Sequence, residues 1–230
     1  MTDLNQNQLA GYIDHTLLDA TATSEQIKQV CREAIQYGFG AVSVNGRWVM
    51  LAADELHGTS VKVDAVVSLP LGGDLTETKA VAAKDCIFAG ADEIDMVADL
   101  ASIIEGDRQY LAHQLLAVLK VCHSMRPRVL LKVIIESAVL TDEQKIFAAG
   151  VASDCDVDFV KTSTGMNAAG GATVADVKLL REYAPNCRVK AAGGIRTAKQ
   201  AVELINAGAE RIGTSASVQI IKQFEAEQQQ

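Results

Sequence analysis

The sequence predicts an α/β fold, a (β/α)8 TIM barrel with a short N-terminal extension. Three observations carry that expectation. Eight short apolar runs alternate with segments whose apolar residues recur at the helical period. Three of those helical segments stop on a glycine (Gly38, Gly90 and Gly208) just before the next run, as expected when one strand–helix unit is used repeatedly. The 230 residues contain no linker, low-complexity stretch or break in composition. Barrels of this size commonly form one domain, here residues 1–230. A doubly wound open sheet, the alternative, would require a switch point and usually fewer strands.

Residues 12–17 form the first strand candidate, interrupted by polar side chains. Thr23 followed by Gln26 has the spacing of a capping box, and Ile27, Val30, Cys31, Ala34 and Ile35 continue at the helical period up to Gly38. Residues 41–44 are the next strand, followed by a helix around 47–55 and a strand over 61–69. Pro70-Leu71-Gly72-Gly73 turns the chain into a helix over about 76–88, which ends at Gly90. A strand over 92–97, a long helix over about 107–124 and a strand over 128–135 follow. Thr141 with Gln144 opens the next helix, which leads to the buried run that ends on Lys161. Thr173 caps a helix over 174–183 ahead of the strand that holds Lys190. Thr197 with Gln200 caps another, residues 211–213 make the eighth strand, and a helix from about Ser215 runs into a polar tail, 228–230, expected to fray.

Composition narrows the function. A net charge of −8 and a pI near 5.0 argue against nucleic acid or an anionic membrane surface as partner. Any anion site must then be local, built from backbone amides and a few cations. No apolar run approaches the ~20 residues of a membrane span. The five cysteines (Cys31, Cys86, Cys122, Cys155 and Cys187) are odd in number and lack metal-ligand spacing, so they read as buried free thiols. The start, Met1-Thr2-Asp3, lacks the basic-then-apolar pattern of a leader, which makes the cytoplasm the expected compartment.

Reactive chemistry gathers at strand ends. Lys161 closes an apolar run and is followed by Thr162-Ser163-Thr164-Gly165, and Lys190 repeats the design one unit later before Gly193-Gly194. A lone strand-end lysine most often snorkels to water or pairs with a carboxylate. Two of the same design are hard to explain as packing, because burying an unpaired ammonium is costly. That cost also lowers the amine's pKa and frees it to attack a carbonyl. Moving a lysine from ~10.4 to the ~7–8 of a useful nucleophile needs about 4 kcal/mol. A second ammonium ~5 Å away would supply about 3 kcal/mol, leaving the rest to desolvation. One lysine would attack, the other would depress its pKa, and Asp95 would move protons. Period-2 parity puts Lys132 with Leu130 and Ile134, and Lys161 with Phe159, while Ile94 and Met96 on either side of Asp95 suit the helix-packed face. Gly171, Gly193, Gly194 and Ser215 sit in turns that open the last three helices, where backbone amides can hold a phosphate. Asp14 and Lys132 read as a supporting charge pair. The four histidines read as packing or surface residues, and Trp48 as an exterior or subunit contact.

These stretches carry a resemblance. Ile13 to Leu18, Glu93 to Val97, Leu131 to Glu136, Phe159 to Gly165, Val189 to Arg196 and Gly213-Thr214-Ser215 together resemble the deoxyribose-phosphate aldolases, a class I aldolase family, over almost the whole chain. The resemblance implies cleavage of 2-deoxy-D-ribose 5-phosphate to D-glyceraldehyde 3-phosphate and acetaldehyde, in deoxyribonucleotide catabolism, with no metal and no cofactor. It assigns Lys161 to the Schiff base, Lys190 and Asp95 to proton transfer, and Thr164 and Gly165 to the substrate site beside the glycine turns. It also implies a homodimer or other homo-oligomer. The chain departs from the family pattern at Ser43, Gly46, Ser68-Leu69, Asp99, Ala101 and Met166, of which Asp99 is expected to add negative charge near the barrel mouth.

Overall fold

In the computed structural model, which describes residues 4–228, eight parallel strands close into a barrel in sequence order, β1 pairing with β8. The strands are β1 Ile13–Leu17, β2 Ala41–Asn45, β3 Lys62–Val67, β4 Glu93–Val97, β5 Leu130–Ile134, β6 Phe159–Lys161, β7 Arg188–Ala192 and β8 Arg211–Thr214. Around them run α1 Gln6–Gly11, α2 Ser24–Tyr37, α3 Val49–Glu55, α4 Thr76–Phe88, α5 Leu100–Glu105, α6 Arg108–Ser124, α7 Asp142–Asp154, α8 Val174–Tyr183, α9 Ala198–Asn206 and α10 Ser217–Gln228. The fold is the TIM barrel that the repeated strand–helix units predict. No helix among the described residues is long and apolar enough to cross a membrane.

Local chemistry explains where the elements begin. Thr23, Thr141 and Thr197 each accept the third helical amide while Gln26, Gln144 and Gln200 reach back to the cap, so all three expected capping boxes form. Asn5 and Gln8 make a fourth, which opens α1 as the N-terminal extension. A short helix that the sequence pattern does not predict, α5, is capped at its start by Asp99, which accepts from the Ser102 amide at 2.7 Å, and ends at the left-handed Gly106. The cap uses one oxygen of the carboxylate expected near the barrel mouth. Ile35 is 46% exposed, because eight residues past Ile27 it has rotated roughly 80° off the buried stripe of α2. Gln228 lies within α10 and donates to the Leu4 carbonyl at 3.0 Å. Gln229 and Gln230 of the expected tail, and Met1 to Asp3, lie outside the described residues.

Strand parity divides the barrel into two regions. Ile94, Met96, Leu131, Val133, Val160, Val189 and Ala191 join one continuous apolar cluster with the inner faces of the helices. Their alternates, Val66, Val97, Ile134, Phe159 and Ala192, are buried yet stand outside that cluster. They share the barrel interior with Asp14, Asp64, Glu93, Asp95, Lys132, Lys161 and Lys190, all of them buried. The interior is therefore shared between apolar filling and an ionic network.

Two residues of the loop between β3 and α4, at the barrel mouth, adopt left-handed backbone. Gly72, at φ 70°, passes so close to β4 that a Cβ would lie 2.1 Å from the Ala98 carbonyl oxygen. Ser68, just past the end of β3, adopts φ 59°, and its buried hydroxyl has no partner among the described residues. A side chain in this region costs ~1–2 kcal/mol that glycine avoids, less the extra chain entropy glycine loses on folding. Ser68→Gly should therefore stabilise the fold by about 0.5–1 kcal/mol, a rise of roughly 1–4 °C in Tm, which thermal unfolding can read. An unchanged or lower Tm would show that Ser68 carries no strain.

Candidate active site

Four cations and four carboxylates interlock inside the barrel. Asp95 stands at the centre: its Oδ2 accepts from Lys161 Nζ at 2.6 Å and from Lys190 Nζ at 2.6 Å, and its Oδ1 accepts from Lys132 Nζ at 2.9 Å. Lys190 also meets Asp64 Oδ2 at 3.0 Å and Asp14 Oδ2 at 2.5 Å. Lys132 meets Asp64 Oδ1 at 2.8 Å and Glu93 Oε2 at 2.7 Å. Arg211 closes the ring, holding both oxygens of Glu93 at 3.0 Å and donating from Nε to Asp14 Oδ1 at 2.7 Å.

Partner count separates the three lysines. Among the described residues Lys132 and Lys190 each touch three carboxylates, whereas Lys161 touches Asp95 alone. Burial works against all three ammoniums. For Lys132 it is outweighed by Asp64, Asp95, Glu93 and Asp14, and its pKa rises well above the usual lysine value. Asp14, Asp64 and Asp95 likewise outweigh burial at Lys190 and raise its pKa. At Lys161 burial wins; Asp95 opposes it and the charge of Lys190 assists it, so the pKa falls. From the sequence alone, the Lys190 ammonium is expected to supply the larger share of that depression. The structure reverses the order, because only 3% of Lys161 is exposed and one carboxylate is too few to compensate.

The carboxylates divide too. Burial would raise Asp95, but Lys132, Lys161 and Lys190 hold it well below the usual range. Asp14 is lowered to about 2, since Arg211, Lys190 and Lys132 overcome its burial. Glu93 is lowered against burial by Lys132 and Arg211. Asp64 alone is raised, by burial and by the neighbouring charge of Asp95.

Above this network a cavity of about 410 Å³ opens at the C-terminal ends of the strands, with Lys161 in its wall. Thr164, Gly165, Gly193, Gly194 and Ser215 line it with Thr16, Asp19, Met166 and Arg196. Gly165, Gly193 and Gly194 have φ of 81°, 92° and 74°, turns that an L side chain would strain. Gly171 faces elsewhere, into a neighbouring hollow lined by Ser137, Lys145 and Asp176. Its place is set by a backbone crossing, for a Cβ there would lie 2.2 Å from the Gly193 carbonyl oxygen. Gly171 therefore shapes the Gly193 turn rather than lining the cavity.

Asp14 and Lys132 share the network without touching. Asp14 pairs with Lys190 and Arg211, because β1 hydrogen-bonds to β8 on the side of the barrel away from β5. Sequence reasoning missed Asp64, Glu93 and Arg211 as members. Parity could have found the first two, since Asp64 alternates within an apolar strand and Glu93 lies two residues before Asp95. It also missed Glu136, whose left-handed backbone (φ 54°) lets its buried carboxylate accept from Thr164 Oγ1 at 2.6 Å and from the Thr164 amide at 3.2 Å. That contact holds the cavity wall just beyond Lys161. Of the histidines, His15 is locked between Ser217 at 2.9 Å and Glu33 at 2.8 Å. Trp48 is half-buried, with the Arg47 guanidinium 4.9 Å from its ring centre. Among the described residues no group of His, Cys, Asp and Glu could hold a metal ion.

Comparison with known proteins agrees with this geometry. The family described as "DeoC/LacD family aldolase" matches residues 9–222. The chain belongs to that aldolase family. A deoxyribose-phosphate aldolase of Aciduliprofundum boonei is 49% identical over 96% of this chain and 99% of its own length. One from Thermococcus kodakarensis is 47% identical over 95% and 98%. The solved structure of a tetrameric deoxyribose phosphate aldolase from Aeropyrum pernix superposes with a TM-score of 0.89 at 31% identity, covering 97% of this chain and 93% of that one.

In this aldolase Arg211 is the one guanidinium in the ionic ring, and its loss would leave Asp14 and Glu93 short of positive charge in the interior. Stranding a buried charge typically costs ~3–5 kcal/mol. Arg211→Met should lower stability in urea by about that much at neutral pH. The deficit should shrink as acid protonates the stranded carboxylates, and a wild-type-like midpoint would mean that Arg211 adds no net stability.

Proposed function

We propose that this aldolase reversibly cleaves 2-deoxy-D-ribose 5-phosphate to D-glyceraldehyde 3-phosphate and acetaldehyde, through a Schiff base on Lys161 and without a metal or cofactor. The observation that carries the reading is the asymmetry among the buried lysines. Lys161 combines a lowered pKa, a single carboxylate partner and a place in the cavity wall. Lys132 and Lys190 are each held charged by three carboxylates, and neither lines the cavity.

On this reading the free Lys161 amine adds to the sugar's C1 carbonyl and expels water to give an iminium. The C3 hydroxyl then gives up its proton as the C2–C3 bond breaks. C3 becomes the aldehyde of the three-carbon phosphate, and the bonding electrons are held as an enamine on Lys161. A proton returned to C2 restores the iminium, and water releases acetaldehyde. Lys190 and Asp95 are the proton carriers; the 2.6 Å contacts to one Asp95 oxygen link them to Lys161. The substrate phosphate sits against the Gly193-Gly194 turn and Ser215, at the start of the last two helices, with Arg196 as the nearby cation of the cavity wall.

The relatives named above are deoxyribose-phosphate aldolases, which supports the substrate. The tetrameric Aeropyrum relative supports assembly as a homo-oligomer. Exposed Leu71 and Phe88, at 81% and 70%, offer apolar surface for it. All five cysteines are buried and free, which suits a reducing cytoplasm.

Borohydride reduction in the presence of acetaldehyde, followed by peptide mapping, should find the two-carbon adduct on Lys161. An adduct chiefly on Lys190 would reverse the two assignments. Ser215→Asp should raise KM for the phosphorylated sugar by at least tenfold while changing kcat/KM for unphosphorylated deoxyribose much less, through repulsion and steric block. Equal effects on both sugars would remove the phosphate from that turn.

A further inference from the structure

Charge balance inside the barrel sets a problem for a free Lys161 amine. With every group ionised, Lys132, Lys161, Lys190 and Arg211 balance Asp14, Asp64, Glu93 and Asp95. A neutral Lys161 leaves one uncompensated negative charge among side chains that are almost entirely buried, which is costly. Some carboxylate must relieve it. Asp14 is held by Arg211 and Lys190, Glu93 by Arg211 and Lys132, and Asp95 by three ammoniums. Among the described residues Asp64 meets only Lys132 and Lys190, with no guanidinium and no contact to Lys161.

We propose that Asp64 takes up the proton that Lys161 gives up, keeping the buried network neutral while the amine is free and returning the proton when the iminium forms. This deepens the Schiff-base reading above and rests on it. The path is a continuous chain of contacts: Lys161 Nζ to Asp95 Oδ2 at 2.6 Å, Asp95 Oδ2 to Lys190 Nζ at 2.6 Å, and Lys190 Nζ to Asp64 Oδ2 at 3.0 Å. A Lys190 N–H bond breaks as an O–H bond forms on Asp64. Lys190 then regains a proton from Asp95, which takes its own from Lys161. The net change is an ammonium and a carboxylate becoming an amine and a carboxylic acid, with Asp95 and Lys190 unchanged. Asp64 touches no reacting atom; it is a positioning residue that decides where the proton rests.

The surroundings of Asp64 agree. Facing it are Lys132 on β5, Lys190 on β7, Asp95 on β4 and Asp14 on β1, with Glu93 of β4 its register partner and Arg211 of β8 reaching Asp14 and Glu93. Its register partner on β2, Ser43, is uncharged, and Lys161 on β6 connects through Asp95. Asp64 is the network carboxyl with a raised pKa, and Lys161 the network cation with a lowered one, so the two shifts favour the same transfer.

The consequence is measurable on the wild type. Amine, aldehyde and the Asp64 proton combine to iminium and water, with no proton drawn from solution. Equilibrium occupancy of the acetaldehyde adduct, read by mass spectrometry after a borohydride quench, should therefore be flat across neutral pH. Infrared difference spectra should show a buried carboxylic-acid band that disappears when acetaldehyde is added. In Asp64→Asn the proton must come from solvent, so adduct occupancy should fall about tenfold per pH unit and the acid band should be missing. A wild-type occupancy that falls about tenfold per unit, or a Lys161 adduct that forms with no loss of an acid band, would overturn the role of Asp64 alone. No adduct on Lys161 at all would overturn the Schiff-base reading beneath it. If Asp64→Asn does not fold, the two wild-type measurements still decide.

Discussion

The structure depends on one carboxylate. Asp95 accepts from three ammoniums in the barrel interior, and each contact fixes a strand relative to β4: Lys132 on β5, Lys161 on β6 and Lys190 on β7. Removing this many charges from water costs several kcal/mol per ion, and only close, nearly complete pairing repays it. The strands are therefore held to the register that brings the charges together as well as to the one that buries their apolar faces. A slip of one residue would send Asp95 among the helices and Ile94 or Met96 into the ionic ring.

From that constraint follows a division of labour among residues of the same kind. Three lysines occupy neighbouring strands, and their intrinsic chemistry is identical. Their pKa shifts differ because the number of carboxylates around each differs. Burial disfavours every ammonium, and the outcome is decided by how much negative charge answers it. Lys161 has the least and stands beside the cavity, so it is the lysine for which a neutral amine costs least. Keeping Lys132 and Lys190 charged is equally part of the design, since their positive charges hold Asp95 and Asp14 ionised.

The cavity wall follows a different principle, close approach of backbones. Gly171 crosses Gly193 with no room for a Cβ, Gly193 packs against Gly165, and the Ala172 amide donates to the carbonyls of Ala192 at 3.0 Å and Gly193 at 3.2 Å. Thr162 stitches the same two loops, donating to the Ala192 carbonyl at 3.2 Å and accepting from its amide at 3.1 Å. Glu136 anchors the far end by holding Thr164. The glycine turns are thus built into one unit, so their amides need little rearrangement to meet an anion.

How much of this was legible beforehand depends on the range of the interaction. The strand–helix alternation, the threonine–glutamine caps and the outward facing of Ile94 and Met96 are set by neighbours within a few residues, so the sequence by itself determined them. Lys161 and Lys190 stood out for the same reason, as charges at the ends of apolar runs, and the motifs around them were enough to indicate the aldolase family. Tertiary structure decided what distant strands bring together. Asp64 joins Lys190 across 126 residues, and Arg211 joins Asp14 across 197. Barrel closure gave Asp14 to β8 and β7 rather than to Lys132, and placed Gly171 in a neighbouring hollow instead of in the cavity wall. It also set the count of carboxylates around each lysine. A chain pattern can show that a lysine is buried, but its charge state depends on groups that only the closed barrel makes neighbours.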